Sequence, residues 1–251
     1  MKTIPTASTG SSINLVKDGD TFRIARIESE YRFAFELKNV ARFMANKALL
    51  AREEDYYEQH AFVTGAIILS YAYLNAGFNE FIFLNATAKE SSLSTTDKAI
   101  IQAMADERLR PQQGSENALQ LYNVVLRLLK KPPLEDDKPP FQAANALCVL
   151  RNLLVHPEPV RVVIYDENPE SILSDQQKIV KQLRSHLKLH KNATFPRDIL
   201  TPACARWAVN SCELFFSEFV RRTGVNPGLT PLQKRLDKIH PNWTLLNQRK
   251  V

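Results

Sequence analysis

Residues 61–79 run for nineteen positions without a charged side chain, and no other stretch restricts the fold as tightly. A run of that length is either a helix that crosses a membrane or a helix buried in a protein core. Thr64, Ser70, Asn75 and Asn79 interrupt the apolar pattern and Glu80 follows at once, which points to the buried helix. The helical period extends beyond the run, from about Glu53 to Asn85, with Ala61, Gly65, Ile68, Ala72 and Ala76 on one face. Small residues in such a row let a second helix approach closely. The expectation is a core helix in a cytoplasmic protein, with no membrane partner.

The rest of the chain reads as helices gathered around that one. A first helix covers roughly 31–49, and the acidic start of the second (Glu53, Glu54, Asp55) suits a helix N-terminus. Ser94 and Asp97 form a capping-box pattern that opens a helix reaching about Arg108. Ser115 can cap the next, which places Leu119, Tyr122, Leu126 and Leu129 on one stripe and stops before Pro132-Pro133. The segment 141–156 follows, then a basic amphipathic helix near 174–190. Thr201-Pro202 begins a long helix that ends at Gly224, and a short one is expected at 230–239. Its stripe of Cys204, Trp207, Ala208, Cys212, Phe215 and Phe219 is assigned to the core. Two β excursions decorate this frame: a hairpin within 13–28 turning at Asp18-Gly19, and a short strand at 161–165. The fold class is therefore all-α, with an arm and hairpin at 1–30, one helical domain at 31–240 and a basic tail at 241–251.

Composition removes several function classes. Of the seven glycines no two lie closer than four residues, so neither a Walker-type nor a dinucleotide-type phosphate loop can be built. The three cysteines (Cys148, Cys204, Cys212) sit in helical patterns without C-x-x-C spacing and read as buried thiols of a reducing compartment. Net charge is +6, but residues 175–251 hold 14 Lys and Arg against 5 Asp and Glu, or +9, which leaves −3 for residues 1–174. A basic C-terminal third is a footprint suited to a polyanion, nucleic acid above all.

Most candidate chemistry yields to a plainer reading. His186 and His190 stand at i, i+4, the spacing of a helical metal pair, but Lys188 lies between them and no glutamate completes an H-E-x-x-H site. A solvated basic face accounts for them. No G-x-S-x-G elbow is present, and the paired acids Glu53/Glu54 and Asp136/Asp137 read as a cap and a loop. Neither a metal nor a cofactor is expected.

Arg151, Asn152 and His156 are different, because they crowd the last turn and a half of the otherwise apolar helix 141–156. Pro157 biases His156 out of the α region, so the helix should end near Val155 with the imidazole at its mouth. Asn152 is one turn earlier on the same face, whereas Arg151 is about 140° away on an ideal helix. Two such helix ends facing each other across a two-fold axis would bring the guanidinium to the imidazole. An arginine fork can hold a phosphate and stabilise a phosphorane, and a histidine can move the 2′-hydroxyl or 5′-oxygen proton of RNA. Asn152 can hold the imidazole or a phosphate oxygen in place. That reaction calls for no metal.

The R-polar-x-x-x-H pattern on a late core helix, RNLLVH at 151–156, resembles the R-x4–6-H signature of the HEPN superfamily, with Asn152 in the polar position after the arginine. YAYLNAGFNEFI (71–82) resembles the family's early helix, including the asparagine-acid pair Asn79-Glu80; Asn75 stands where the family places an earlier acidic residue. FPRDILTPACARWAVNSCELFFSEFV (195–220) is similar to the closing helix of several bacterial members, so the likeness covers roughly 55–222. The resemblance implies a HEPN-like helical bundle that dimerises with its active site at the interface. It implies a metal-independent endoribonuclease acting on RNA, often a toxin or phage-defence effector, with Arg151, Asn152 and His156 as catalytic residues. An antitoxin or a nucleotidyltransferase-type protein is the further partner to expect. The alternatives are a non-catalytic partner-binding module of the same family and a basic RNA-binding adaptor.

Overall fold

The computed structural model describes residues 2–5, 12–18, 21–28, 33–52, 55–87, 93–106, 118–156 and 175–225. The chain divides into two units, Met1–Phe33 and Ala34–Val251. In the first, strands β1 (Lys2–Pro5), β2 (Ser12–Asp18) and β3 (Thr21–Glu28) pair antiparallel in the order β1-β2-β3. Asp18 faces Thr21 and Ser12 faces Glu28, with a register shift at Asn14/Leu15 that gives β3 one extra residue. The turn position Gly19, the strand expected at 161–165, the cap at Ser115, the helix at 230–239 and the tail at 241–251 lie outside the described residues.

The second unit is helical: α1 (Phe33–Leu50), α2 (Tyr56–Thr87), α3 (Thr95–Asp106), α4 (Ala118–Leu128), α5 (Phe141–Val155), α6 (Asp175–Leu187) and α7 (Pro202–Thr223). Helix α2 is the axis of this unit. It packs against α3, α5 and α7, and Val63, Ile67, Leu74, Phe78 and Phe81 are all buried along it. Among the described residues it is the one helix long and apolar enough to cross a membrane, and half of its most apolar window is buried inside the protein. Burial on several sides accounts for an apolar surface without a polar face.

Close helix approach on α2 occurs at Gly77, which is not in the row of small residues picked out by the sequence. A Cβ there would lie 2.8 Å from Cε2 of Phe216 on α7, so the aromatic ring occupies the space a side chain would fill. Gly65, which is in that row, faces the side chain of Met44 on α1 at an ordinary 3.6 Å. Around the α2–α7 seam the rings pack edge to face. Tyr122 of α4 is at the centre, 4.7 Å from Phe219, 4.9 Å from Phe215 and 5.0 Å from Phe78, and its hydroxyl donates to the carbonyl of Leu74. Arg42 of α1 grips Glu213 of α7 through two 2.6 Å hydrogen bonds. Glu80 accepts the backbone N–H of Ala34 at 2.8 Å and so caps α1 from across the bundle.

Helix ends follow local chemistry. Ser94 Oγ accepts the Asp97 N–H at 3.1 Å and donates to its carboxylate at 2.8 Å. Thr201 caps α7 by accepting the Cys204 N–H, Pro202 opens the helix, and Gly224 closes it at φ 69°. Before α5, the buried amide of Asn123 holds Leu134 on both sides, accepting its N–H at 2.7 Å and donating to its carbonyl at 2.9 Å. That clamp fixes the connection leading into Phe141. All three cysteines are buried thiols outside any disulfide, and burial pushes Cys204 and Cys212 up to about 12.

Candidate functional site

Helix α5 ends at Val155, and His156 leaves the helical region at φ −126°, ψ 63° while its N–H still donates to the Asn152 carbonyl at 2.8 Å. The steric demand of Pro157 produces this stop. The imidazole of His156 is exposed and has no hydrogen-bond partner among the described residues. Arg151 behaves otherwise. Its guanidinium lies over the Tyr71 ring of α2, 5.0 Å from the centroid, and Nη1 donates to Oδ1 of Asn152 at 2.9 Å. Its Nε is enclosed without a hydrogen-bond partner.

The structure thus brings Arg151 and Asn152 together and gives the His156 imidazole no hydrogen bond to either side chain. Asn152 was expected to orient the imidazole or a phosphate oxygen; its side-chain oxygen faces the guanidinium instead. The residue that sequence reasoning missed is Tyr71. Burial pushes its hydroxyl up to about 12, with the Cys148 thiol adding to the shift and hydrogen bonding from Asn75 and the Arg151 charge opposing it. Tyr71, Asn75, Cys148 and Arg151 therefore form one cluster of interacting side chains in the α2–α5 seam. The signal for it was present in the spacing of Tyr71 and Asn75, one turn apart on α2, but nothing local to α2 indicates which helix they face. Asn79 is exposed and Glu80 is occupied with α1, so the asparagine-acid pair takes no part in that cluster.

Two other sites are redrawn. Helix α6 stops at Leu187, with Lys188 at φ 52° and Arg184 donating to the Lys191 carbonyl at 3.0 Å. His190 is thus outside the helix, where it faces Asp198 at 3.8 Å, so the i, i+4 geometry of a metal pair does not form. Among the described residues no group of three or more His, Cys, Asp or Glu is placed to hold a metal. Trp207, assigned to the core stripe of α7, is only half-buried and lies at its edge, its ring 5.5 Å from that of His186. The two rings border a cleft of about 440 Å³ between α6, α7 and the start of α5. That cleft is at the opposite end of α5 from Arg151. Comparison with family models, with curated proteins and with solved structures gives no match.

Proposed function

We propose that this chain is a HEPN-type, metal-independent endoribonuclease that works as a homodimer, in a toxin–antitoxin or phage-defence setting in the cytoplasm. The fold in this reading is a HEPN-like bundle with the N-terminal hairpin as an appendage, and an antitoxin or nucleotidyltransferase-type protein is its natural partner. One observation carries it: a solvent-exposed imidazole with no hydrogen-bond partner among the described residues, at the end of a core helix and five residues from an arginine already held in place. An exposed histidine at a helix mouth is placed for proton transfer to a ligand, whereas a merely structural one is usually hydrogen-bonded.

In the proposed reaction His156 removes the proton of the 2′-hydroxyl, and the resulting oxygen attacks the adjacent phosphorus. The 5′-oxygen leaves with a proton returned by the second imidazole of the dimer, which leaves a 2′,3′-cyclic phosphate. Arg151 stabilises the phosphorane through the guanidinium N–H groups not committed to Asn152. Tyr71 holds that guanidinium flat and limits its rotamers. Asn152 orients Arg151.

The test is RNA cleavage in EDTA with end-group analysis, wild type against His156→Ala. Loss of a general acid/base costs about 10²–10⁴ in rate. Equal cleavage by both proteins would remove His156 from the mechanism and the assignment with it. The engagement of Arg151 with Tyr71 and Asn152 favours a second reading, a non-catalytic partner-binding module, in which neither protein cleaves RNA.

A further inference from the structure

We infer that the cleft between α6, α7 and the start of α5 binds a nucleobase together with its phosphate. It is lined by Pro139, Pro140 and Ala143 and by Ala203, Trp207 and Leu214 of α7, with His186 beside the indole. A volume of about 440 Å³ lies within the range of small-ligand sites. The lining is mainly apolar, and among the described residues it contains no carboxylate. Arg206 and Asn210, both exposed at its rim, have no hydrogen-bond or ion-pair partner among the described residues.

Those groups suit one ligand chemistry better than any other. Trp207, half-exposed in the cleft lining, offers an indole on which any base can stack, and stacking tolerates sequence. Asn210 offers an amide donor and acceptor to a base edge. Arg206 is the cation for a phosphate, since burial lowers the His186 imidazole below its ordinary value and leaves it an uncharged aromatic surface. Ala203 brings the first turn of α7 to the cleft, and that end of a helix carries partial positive charge. The nearby acids of α7 are engaged elsewhere, Glu213 with Arg42 and Glu218 with Arg221 and Arg222. The described segment 175–225, which carries α6 and α7, has nine Lys and Arg against four Asp and Glu, or +5, which draws a polyanion and repels a basic peptide. Proximity to α5 does not make this the cleavage site: Ala143 and His156 are thirteen residues apart, roughly 20 Å along the helix axis.

The base and phosphate can belong to a free mononucleotide or to single-stranded RNA, and the experiment separates the two. The His156→Ala protein carrying Trp243→Phe leaves Trp207 as the sole indole of the chain's two tryptophans. It is titrated with AMP, GMP, CMP and UMP and with an eight-nucleotide RNA, reading indole emission. Quenching by the mononucleotides identifies a nucleotide site; quenching by the oligomer alone identifies a strand site. Labelled-RNA anisotropy then compares Trp207→Ala, Trp207→Phe and Arg206→Ala, each checked for an unchanged unfolding transition. Trp207→Ala should weaken binding about 5- to 100-fold while Trp207→Phe stays within a few-fold of the parent. Arg206→Ala should lower the salt slope of RNA binding by about one.

Absence of quenching by every ligand overturns the proposal, and so does unchanged RNA affinity in a folded Trp207→Ala. A Trp207→Ala protein that loses self-association but keeps its RNA affinity gives the cleft to a second copy of the chain and equally refutes it. Because the binding chain lacks His156, failure of cleavage leaves this site standing, and failure of quenching leaves the nuclease reading standing.

Discussion

Two glycines on α2 make opposite predictions for the same substitution. Alanine is better than glycine in a helix interior by about 0.8–1 kcal/mol, so each Gly→Ala change starts with that gain. At Gly65 the new Cβ meets Cγ and Sδ of Met44 at 3.6 Å, an ordinary contact with the flexible end of a side chain. Gly65→Ala should therefore stabilise by about 1 kcal/mol. At Gly77 the Cβ meets Cε2 of Phe216 at 2.8 Å and two further ring atoms at 3.2 Å. Carbon atoms rest about 3.5–4.0 Å apart, so the ring must withdraw by about 1 Å. It cannot do so freely: Phe216 is 4% exposed, with Tyr73 at 5.5 Å and Phe219 at 6.2 Å. Overpacking of this kind costs about 1–3 kcal/mol. The net result for Gly77→Ala is a loss of about 0–2 kcal/mol, which sets it about 1–3 kcal/mol below Gly65→Ala. Urea unfolding followed by circular dichroism, at matched slopes, measures the difference. Adding Phe216→Leu to Gly77→Ala should cost less than Phe216→Leu alone, because it relieves the clash. A Gly77→Ala protein as stable as Gly65→Ala would refute the close approach of α2 and α7 on which the core description rests.

Further predictions concern the frame of the two sites. Asn123→Ala leaves both polar groups of the Leu134 backbone, buried at 2% exposure, without partners. It should destabilise by about 2–4 kcal/mol in the same denaturation assay. The Arg221 hydrogen bond, helped by Arg222 and opposed by burial, lowers Glu218 from 4.5 to about 2. A depressed carboxylate stabilises the fold above its unfolded value and loses that contribution as pH falls through the folded one. Glu218→Gln should therefore flatten the stability profile between about pH 4.5 and 2, while an unchanged acid limb would show that the pair contributes nothing.

What was legible in the sequence was local. Thr201-Pro202 and Gly224 mark the ends of α7, Ser94 marks the start of α3, and Pro157 marks the end of α5, because each acts on backbone groups within four residues of itself. What was hidden depends on partners far along the chain. Trp207 read as core because a helical stripe records spacing and not what stands opposite it, which is His186 of α6. The stack of Arg151 on Tyr71 joins residues 80 positions apart, and the fit of Phe216 over Gly77 joins residues 139 apart, so no periodicity within either helix could disclose them.

The R-x4-H spacing sits between these cases. It was legible as a pattern, and the stop at Val155 gave His156 its exposed place. Yet an ideal helix sets the two residues about 140° apart, and the C-cap dihedrals carry His156 further from the helical path. One chain fixes the guanidinium on Tyr71 and gives the imidazole no hydrogen-bond partner among the described residues. If the proposed chemistry holds, the distance between them is a property of two chains, and dilution below the dimer dissociation constant should abolish cleavage while the fold of each chain is unchanged. Cleavage whose rate per chain is independent of concentration across that range would leave the spacing as a feature of one helix end and nothing more.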